Sequence, residues 1–273
     1  MHLTSKGFPL FLTFDLDAET MWTARDPAYA KRPILMSQGA YGWKVGTDRV
    51  LELLRRYGLR TTFFIPGLIV EQRPALIERI LQGGHEIAHH SYSHRWILNL
   101  SHDEEREEME RGFEAIKRAT GQAPRGWRSP AAELSDISMQ LMLEYGFDYS
   151  SNFFDDDSPY LHEVEGRRTR LIELPFRWVL DDAPFFQYSI VLPGRTMQAP
   201  SALLEAWTLE LDMLHAERRM MMVGMHPQII GQPSRLWVLE QLIQRALDKG
   251  DVWMGRCDEM VADMRPRLEG GGA

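Results

Sequence analysis

The sequence predicts an α/β fold in a single domain, a distorted (β/α) barrel with about seven parallel strands. Three observations lead there. Continuous apolar runs of strand length alternate with segments of helical apolar period. The polar residues able to do chemistry fall just after those runs, at the face where barrels of this class carry their sites. The chain has 273 residues, 44% of them apolar, which suffices for one substantial core.

Phe8 to Phe14 is an unbroken apolar run, the pattern of a strand buried on both faces of a parallel sheet. A long polar and aromatic loop is expected over residues 18–46. Thr47 or Asp48 then caps a helix carrying Val50, Leu51, Leu53 and Leu54, which stops at Gly58. Thr61 to Ile65 reads as the second strand, a helix with Leu76, Ile77, Ile80 and Leu81 follows, and His85 to His89 forms the third strand. Ser101 or Asp103 caps a charged helix running to Thr120, whose acidic residues read as a solvated face. Further strand–helix units are expected at Gly126 to Ser129 with Asp136 to Tyr145, at Leu171 to Leu174, and at Met220 to Met225 with Leu236 to Ala246. Val252 to Met254 and a helix near Asp258 to Met264 complete the domain, assigned to residues 1–268, and the Gly-rich end over 269–273 is expected to be disordered.

Composition excludes several function classes. A formal charge of −8 without a Lys/Arg-rich stretch argues against nucleic acid or an anionic membrane as partner. Cys257 is the single cysteine, so no intrachain disulfide forms, and it reads as a small packed residue. No apolar run approaches the ~20 residues of a spanning helix. Phe8 to Phe14 is too short for a secretion signal and runs into Asp15, so a soluble, cytoplasmic protein is expected.

Chemistry concentrates in a few positions. His90 and His94 lie four apart, a spacing that presents both imidazoles to one side of a turn; His85 and His89 share it. Asp15 and Asp17, at the end of a buried strand, are costly to desolvate without a compensating cation, and a divalent ion supplies one. Asp/His/His ligation leaves positions open for water and substrate, as in a catalytic site, and lowers the pKa of water at the ion to about 7. Carboxylates two apart on an extended segment face the same side. One can ligate while the other reaches the water, which separates Asp17 from Asp15. His226, after an apolar strand, is either a general acid for a departing amine or a turn cap. Arg128 needs a carboxylate partner at the inner end of a barrel, and Asp15 is the obvious one. Glu133 either hydrogen-bonds substrate or caps a helix. Trp22, Trp43, Trp127 and Trp178 can stack on sugars, although packing accounts for most such rings.

Taken together, Thr13-Phe14-Asp15-Leu16-Asp17, Gly84-His85-Glu86-Ile87-Ala88-His89-His90-Ser91-Tyr92-Ser93-His94, Arg128-Ser129-Pro130 and His226 resemble the polysaccharide deacetylase family, also called carbohydrate esterase family four. The resemblance implies a distorted barrel. It also implies that Asp17, His90 and His94 hold one divalent ion, zinc or a similar metal, with Asp15 as base, Arg128 orienting it and His226 as acid. His85 and His89 match positions that are not ligands. Two departures bear on substrate: Leu16 splits the aspartates that the family's common first motif has adjacent, and the region after Tyr145 lacks the usual Asp-Trp pair that supports the acid histidine. The split pair, the long 18–46 loop and Leu174 to Asp182 resemble a branch containing cytoplasmic peptidoglycan-deacetylase-like proteins, cyclic imidases and allantoinase-like enzymes, typically oligomeric and often tetrameric.

The expected activity is hydrolysis of a non-peptide amide C–N bond in an N-acetylated or cyclic amide or imide substrate, a small molecule or short saccharide. The alternative is a non-catalytic protein that uses the same barrel to bind a carbohydrate or metabolite. Retention of a base, an acid and three ligands favours the enzyme, since binding alone needs no paired acid and base.

Overall fold

Eight consecutive buried residues, Phe8–Asp15, build β1, the strand around which the domain is organised. The computed structural model describes residues 3–270. After β1 come α1 (Thr20–Thr23), α2 (Pro33–Tyr41), α3 (Thr47–Arg56), β2 (Thr62–Ile65), α4 (Gly67–Gln72), α5 (Pro74–Gln82), β3 (Glu86–His89), α6 (His102–Thr120), β4 (Gly126–Trp127), α7 (Ser138–Glu144), β5 (Tyr149–Ser150), β6 (Tyr160–Val164) and β7 (Arg167–Glu173). The chain finishes with α8 (Ala183–Phe186), α9 (Pro200–Ala216), β8 (Met221–Met225), α10 (Pro227–Ile230), α11 (Pro233–Asp248), β9 (Val252–Met254) and α12 (Cys257–Gly270).

The nine strands form one curled sheet in the order β6-β7-β5-β4-β3-β2-β1-β8, with β9 pairing the start of β1. All pairs are parallel except β6 with β7. That hairpin is not anticipated from the sequence. Glu165 and Gly166 both take positive φ (52° and 71°), the two-residue turn that joins antiparallel strands, and β6 is only partly buried, as an edge strand is. The sheet makes a half-barrel. At its open side Asp181 bridges Gly224 in parallel, bringing the chain that leaves β7 onto the edge of β8.

The 18–46 region is helical rather than a loop. Proline at the first position of α2 starts a helix that passes through a π turn at Gly42–Gly46 directly into α3. Ser101 caps α6 in a capping box with Glu104. The acidic run of α6 is not all solvated: Glu105 and Glu108 are buried. At the C-terminus, Glu269 and Gly270 belong to α12 instead of a disordered tail, and the rest of that expected tail, 271–273, lies outside the described residues. Among the described residues no helix is long and apolar enough to cross a membrane.

Candidate active site

Every residue singled out for chemistry except Glu133 emerges at the C-terminal edge of the sheet. Asp15 ends β1, Asp17 follows two residues on, and His90, Arg128 and His226 each stand one residue beyond β3, β4 and β8. The adjacent parallel pairs bring these ends together.

Leu16 still donates its N–H to the Phe64 carbonyl at 2.9 Å, so the chain rides on β2 as both aspartates emerge. Ala18 then turns away with φ 52°, and the Thr20 hydroxyl donates to the Asp17 carbonyl at 2.6 Å. His90 Nδ1 lies 2.7 Å from the Arg128 carbonyl. A carbonyl can only accept, so Nδ1 carries the proton and the Nε2 lone pair faces Asp17 Oδ1 at 3.3 Å. His94 Nε2 lies 3.5 Å from the same oxygen. Between the two histidines the chain is clamped by buried Glu108, whose carboxylate accepts from the Ser91 and Ser93 hydroxyls and from the Tyr92 and Ser93 N–H groups. Gly112 lets α6 come this close: a Cβ there would stand 2.5 Å from His89 Nε2 and 2.6 Å from the Ser91 carbonyl oxygen.

Backbone strain gathers here. Of the seven non-glycine residues with positive φ among the described residues, Ala18, Ser91, His94, Ala131 and Ala132 border the site. Each costs about 1 kcal/mol or more, tolerated only where surrounding contacts over-determine the conformation.

Arg128 is buried and makes two connections. Its Nη1 donates to Asp15 Oδ1 at 2.7 Å and to Thr13 Oγ1 at 2.9 Å, Nη2 donates to Ser151 Oγ at 3.0 Å, and the guanidinium lies 4.2 Å over the Phe64 ring. Its carbonyl is the acceptor that sets the His90 tautomer. One residue thus orients both Asp15 and the His90 imidazole.

The support of His226, unassigned from the sequence, is Asp182. That carboxylate accepts from His226 Nδ1 at 2.7 Å and from the His226 backbone N–H at 3.0 Å. Asp182 reaches this position because its own N–H donates to the Gly224 carbonyl at 3.2 Å, two residues before the histidine. The signal was the Asp181-Asp182 pair closing an apolar stretch, a costly placement for two carboxylates without a cationic neighbour. His226 Nε2 is left facing Asp17 Oδ2 at 3.6 Å.

Burial alone would push His226 toward neutrality, but Asp181, Asp182 and Asp17 outweigh it and hold its pKa well above the ordinary value. Burial in turn pushes Asp181 up to about 7. Burial would also raise Asp17, yet His94, His90 and His226 hold it well below the carboxylate range. Burial takes His94 down to about 4 against the pull of Asp17; for His90 the same penalty is overcome by the neighbouring Asp17 and Asp15 carboxylates, and its pKa rises.

Asp17, His90 and His94 offer one atom each within 4.8 Å of one another. Among the described residues Asp17 Oδ1 is buried with no hydrogen-bond partner, and the imidazole facing it most closely does so through a lone pair. An anionic oxygen and ring nitrogens converging without a donor fit a divalent cation. Asp181, Asp182 and His226 are equally close together, but their atoms are spoken for: both Asp182 oxygens serve His226, and Asp181 Oδ1 accepts the Ala183 N–H at 2.6 Å.

These groups line a cavity of about 330 Å³. Met21 and Arg25 from the region after β1, and Trp178, Gln187 and Arg195 from the stretch before α9, wall it in. Glu133 does not line it; its side chain is exposed and its carbonyl accepts the Ser129 hydroxyl. Of the tryptophans, Trp22 and Trp127 are buried in the core, Trp43 packs under the Arg73 guanidinium at 4.0 Å, and Trp178 alone of the four faces the cavity.

Fold and site together define a hydrolase built on a curled parallel sheet, with a carboxylate–imidazole cluster at its C-terminal edge. A family model described as polysaccharide deacetylase matches residues 40–150. The crystal structure of a Mycobacterium smegmatis protein assigned to the polysaccharide deacetylases superposes with a TM-score of 0.90 at 33% identity, over 96% of this chain and 91% of that one. The peptidoglycan deacetylase of Helicobacter pylori is 28% identical over 257 residues, covering 84% of this chain and 87% of the relative. The Puue allantoinase structure shares the fold, with a TM-score of 0.84 at 21% identity over 97% of this chain and 94% of its own. The chain belongs to the polysaccharide deacetylase family, and as a class it is a hydrolase of carbon–nitrogen bonds.

Proposed function

We propose that this protein is a metal-dependent hydrolase of non-peptide amide C–N bonds, acting on a small N-acetylated or cyclic amide or imide substrate. The observation that carries the proposal is the convergence of three groups on one cavity: the Asp17–His90–His94 cluster, the Asp15–Arg128 pair and the His226–Asp182 pair.

In this reading Asp17, His90 and His94 hold the ion through Oδ and the two Nε2 atoms. A divalent ion there supplies polarisation of the substrate carbonyl and acidification of water. Asp15, oriented by Arg128, takes a proton from the attacking water. His226 enters charged, held so by Asp182 and Asp181, and its Nε2 gives a proton to the leaving nitrogen. Asp182 fixes the imidazole tautomer with the proton-bearing Nδ1 turned away from the reaction. Both proton-transfer groups therefore face the cavity with their second atoms already bonded to the protein, so little reorganisation accompanies the step.

The cavity volume of about 330 Å³ supports a small substrate over a long polymer. The proposal takes zinc as the ion and the protein as a cytoplasmic homo-oligomer. It is tested by assaying metal-loaded protein against N-acetylglucosamine oligomers, succinimide, dihydrouracil and allantoin. Turnover of at least one, abolished by chelation and restored by zinc, is expected. Turnover of none sinks the activity, and binding without consumption puts a non-catalytic carbohydrate- or metabolite-binding protein in its place.

A further inference from the structure

Two arginines of the cavity wall have no acidic partner. Arg25 and Arg195 both line the cavity that contains Asp15, Asp17 and His226. Their guanidiniums bond only to neutral acceptors: Arg25 Nη2 donates to Gln187 Oε1 at 3.2 Å, and Arg195 Nη1 to the Ala183 carbonyl at 3.3 Å. Arg25 Nε is buried without any hydrogen-bond partner, and its guanidinium stands 5.1 Å from the Trp96 ring centroid. Among the described residues neither arginine lies within ion-pair distance of a carboxylate.

The nearby carboxylates are already committed. Asp15 is held by Arg128 and Asp181 with Asp182 by His226, while Asp17 faces His90 and His94 in the cluster proposed to hold the ion. Arg25 is moreover destabilised as a cation, first by burial and then by the charge of Arg195, and the weaker opposing pulls of Tyr29 and Asp17 do not offset them. Two mutually repelling guanidiniums beside a reaction centre lower their energy when an anion lies between them, and a planar carboxylate matches the donor fork of each.

We propose that Arg25 and Arg195 form an anion subsite that takes a carboxylate carried by the substrate, selecting acidic small amides over neutral ones. This deepens the proposed hydrolysis and rests on it for the identity of the reacting bond. The subsite also touches the acid. Ala183 follows directly on Asp181-Asp182 and Gln187 ends the short α8 that it starts, so a carboxylate anchored by the arginines tethered there braces the segment that positions His226.

The test compares pairs in which one member carries a carboxylate that the other lacks: N-acetylglucosamine with N-acetylmuramic acid, dihydrouracil with dihydroorotate, and N-acetylalanine amide with N-acetylalanine. Binding is measured by calorimetry in an Asp15→Asn background, and kcat/KM in the wild type. At least one acid is expected to exceed its neutral partner about tenfold, and Arg25→Gln and Arg195→Gln are each expected to bring that ratio close to one. Arg195 is exposed, so its substitution does not threaten folding. The proposal is overturned if no acid exceeds its neutral partner, if the preference survives both substitutions, or if only a phosphate ester such as N-acetylglucosamine 6-phosphate gains affinity. Acid preference in binding with no turnover upholds the subsite and removes the proposed reaction. Turnover of neutral members without acid preference does the reverse.

Discussion

His85 with His89, and His90 with His94, are two pairs of equal spacing within ten residues, and they end in different chemical states. In the first pair the ring nitrogens find neutral partners. His85 Nδ1 accepts the Thr61 N–H at 3.1 Å, while His89 Nδ1 accepts the Ser91 N–H at 3.1 Å and its Nε2 bonds the Met109 carbonyl at 3.0 Å. Burial, helped at His85 by the charges of Arg256 and Arg60, drives their pKa values down to about 4 and about 3. In the second pair both Nε2 atoms converge on one carboxylate oxygen that has no donor. The difference teaches that spacing selects nothing by itself. A histidine pair gains the geometry of a ligand set where a neighbouring strand delivers an anion to it, and packs as structure where the backbone satisfies it first.

The sharpest way to break this comparison is to remove one member of the second pair. His94→Ala is expected to lose stoichiometric zinc and at least about 10³-fold in kcat/KM. Asp15→Asn, by contrast, should keep the metal and lose about 10²- to 10⁴-fold in kcat. Metal analysis of both purified variants decides the matter, and equal loss of metal would undo the division between Asp15 and Asp17.

In the first pair, His89→Ala should leave zinc stoichiometry intact while costing about 2–4 kcal/mol of stability, because it opens a cavity and strands two buried backbone groups. Urea unfolding with parallel metal analysis checks it; metal loss at unchanged stability would reverse the assignment. Asp182→Asn removes the charge behind His226, and a fall of about 10- to 100-fold in kcat with metal content unchanged is expected.

The smallest effect is a pH dependence. His85 titrates near 6.5 in the unfolded chain and at about 4 in the folded one. Its folded value is depressed, so the stability it contributes is complete above pH 6.5 and is lost as pH falls toward 4. His85→Gln should flatten the stability profile in that window. A profile as steep as that of the wild type would mean other groups carry the acid sensitivity.

The fold was largely legible because its strands are continuous apolar runs and its helices are amphipathic, signals that survive without neighbours. The 18–46 region reads as a loop in sequence because Pro27, Pro33, Gly39, Gly42 and Gly46 resemble breakers, whereas in the fold proline starts a helix and the glycines allow close packing: a Cβ on Gly46 would stand 2.0 Å from the Pro227 carbonyl oxygen. The β6–β7 hairpin escaped notice because its edge strand is half polar.

What the sequence determined by itself was local: the apolar strands, the Ser101 cap, and the residue types that the proposed metal site requires at the ends of β1, β3, β4 and β8. Tertiary structure decided the partners. Asp182 against His226, Glu108 under the Ser91–Ser93 turn, Arg128 serving Asp15 and His90 at once, and Arg25 beside Arg195 all join positions far apart in the chain. Hydrogen bonds and charge pairs form across space between whatever strand ends the sheet brings together, and the order of strands in a curled sheet is not written in the period of any one of them.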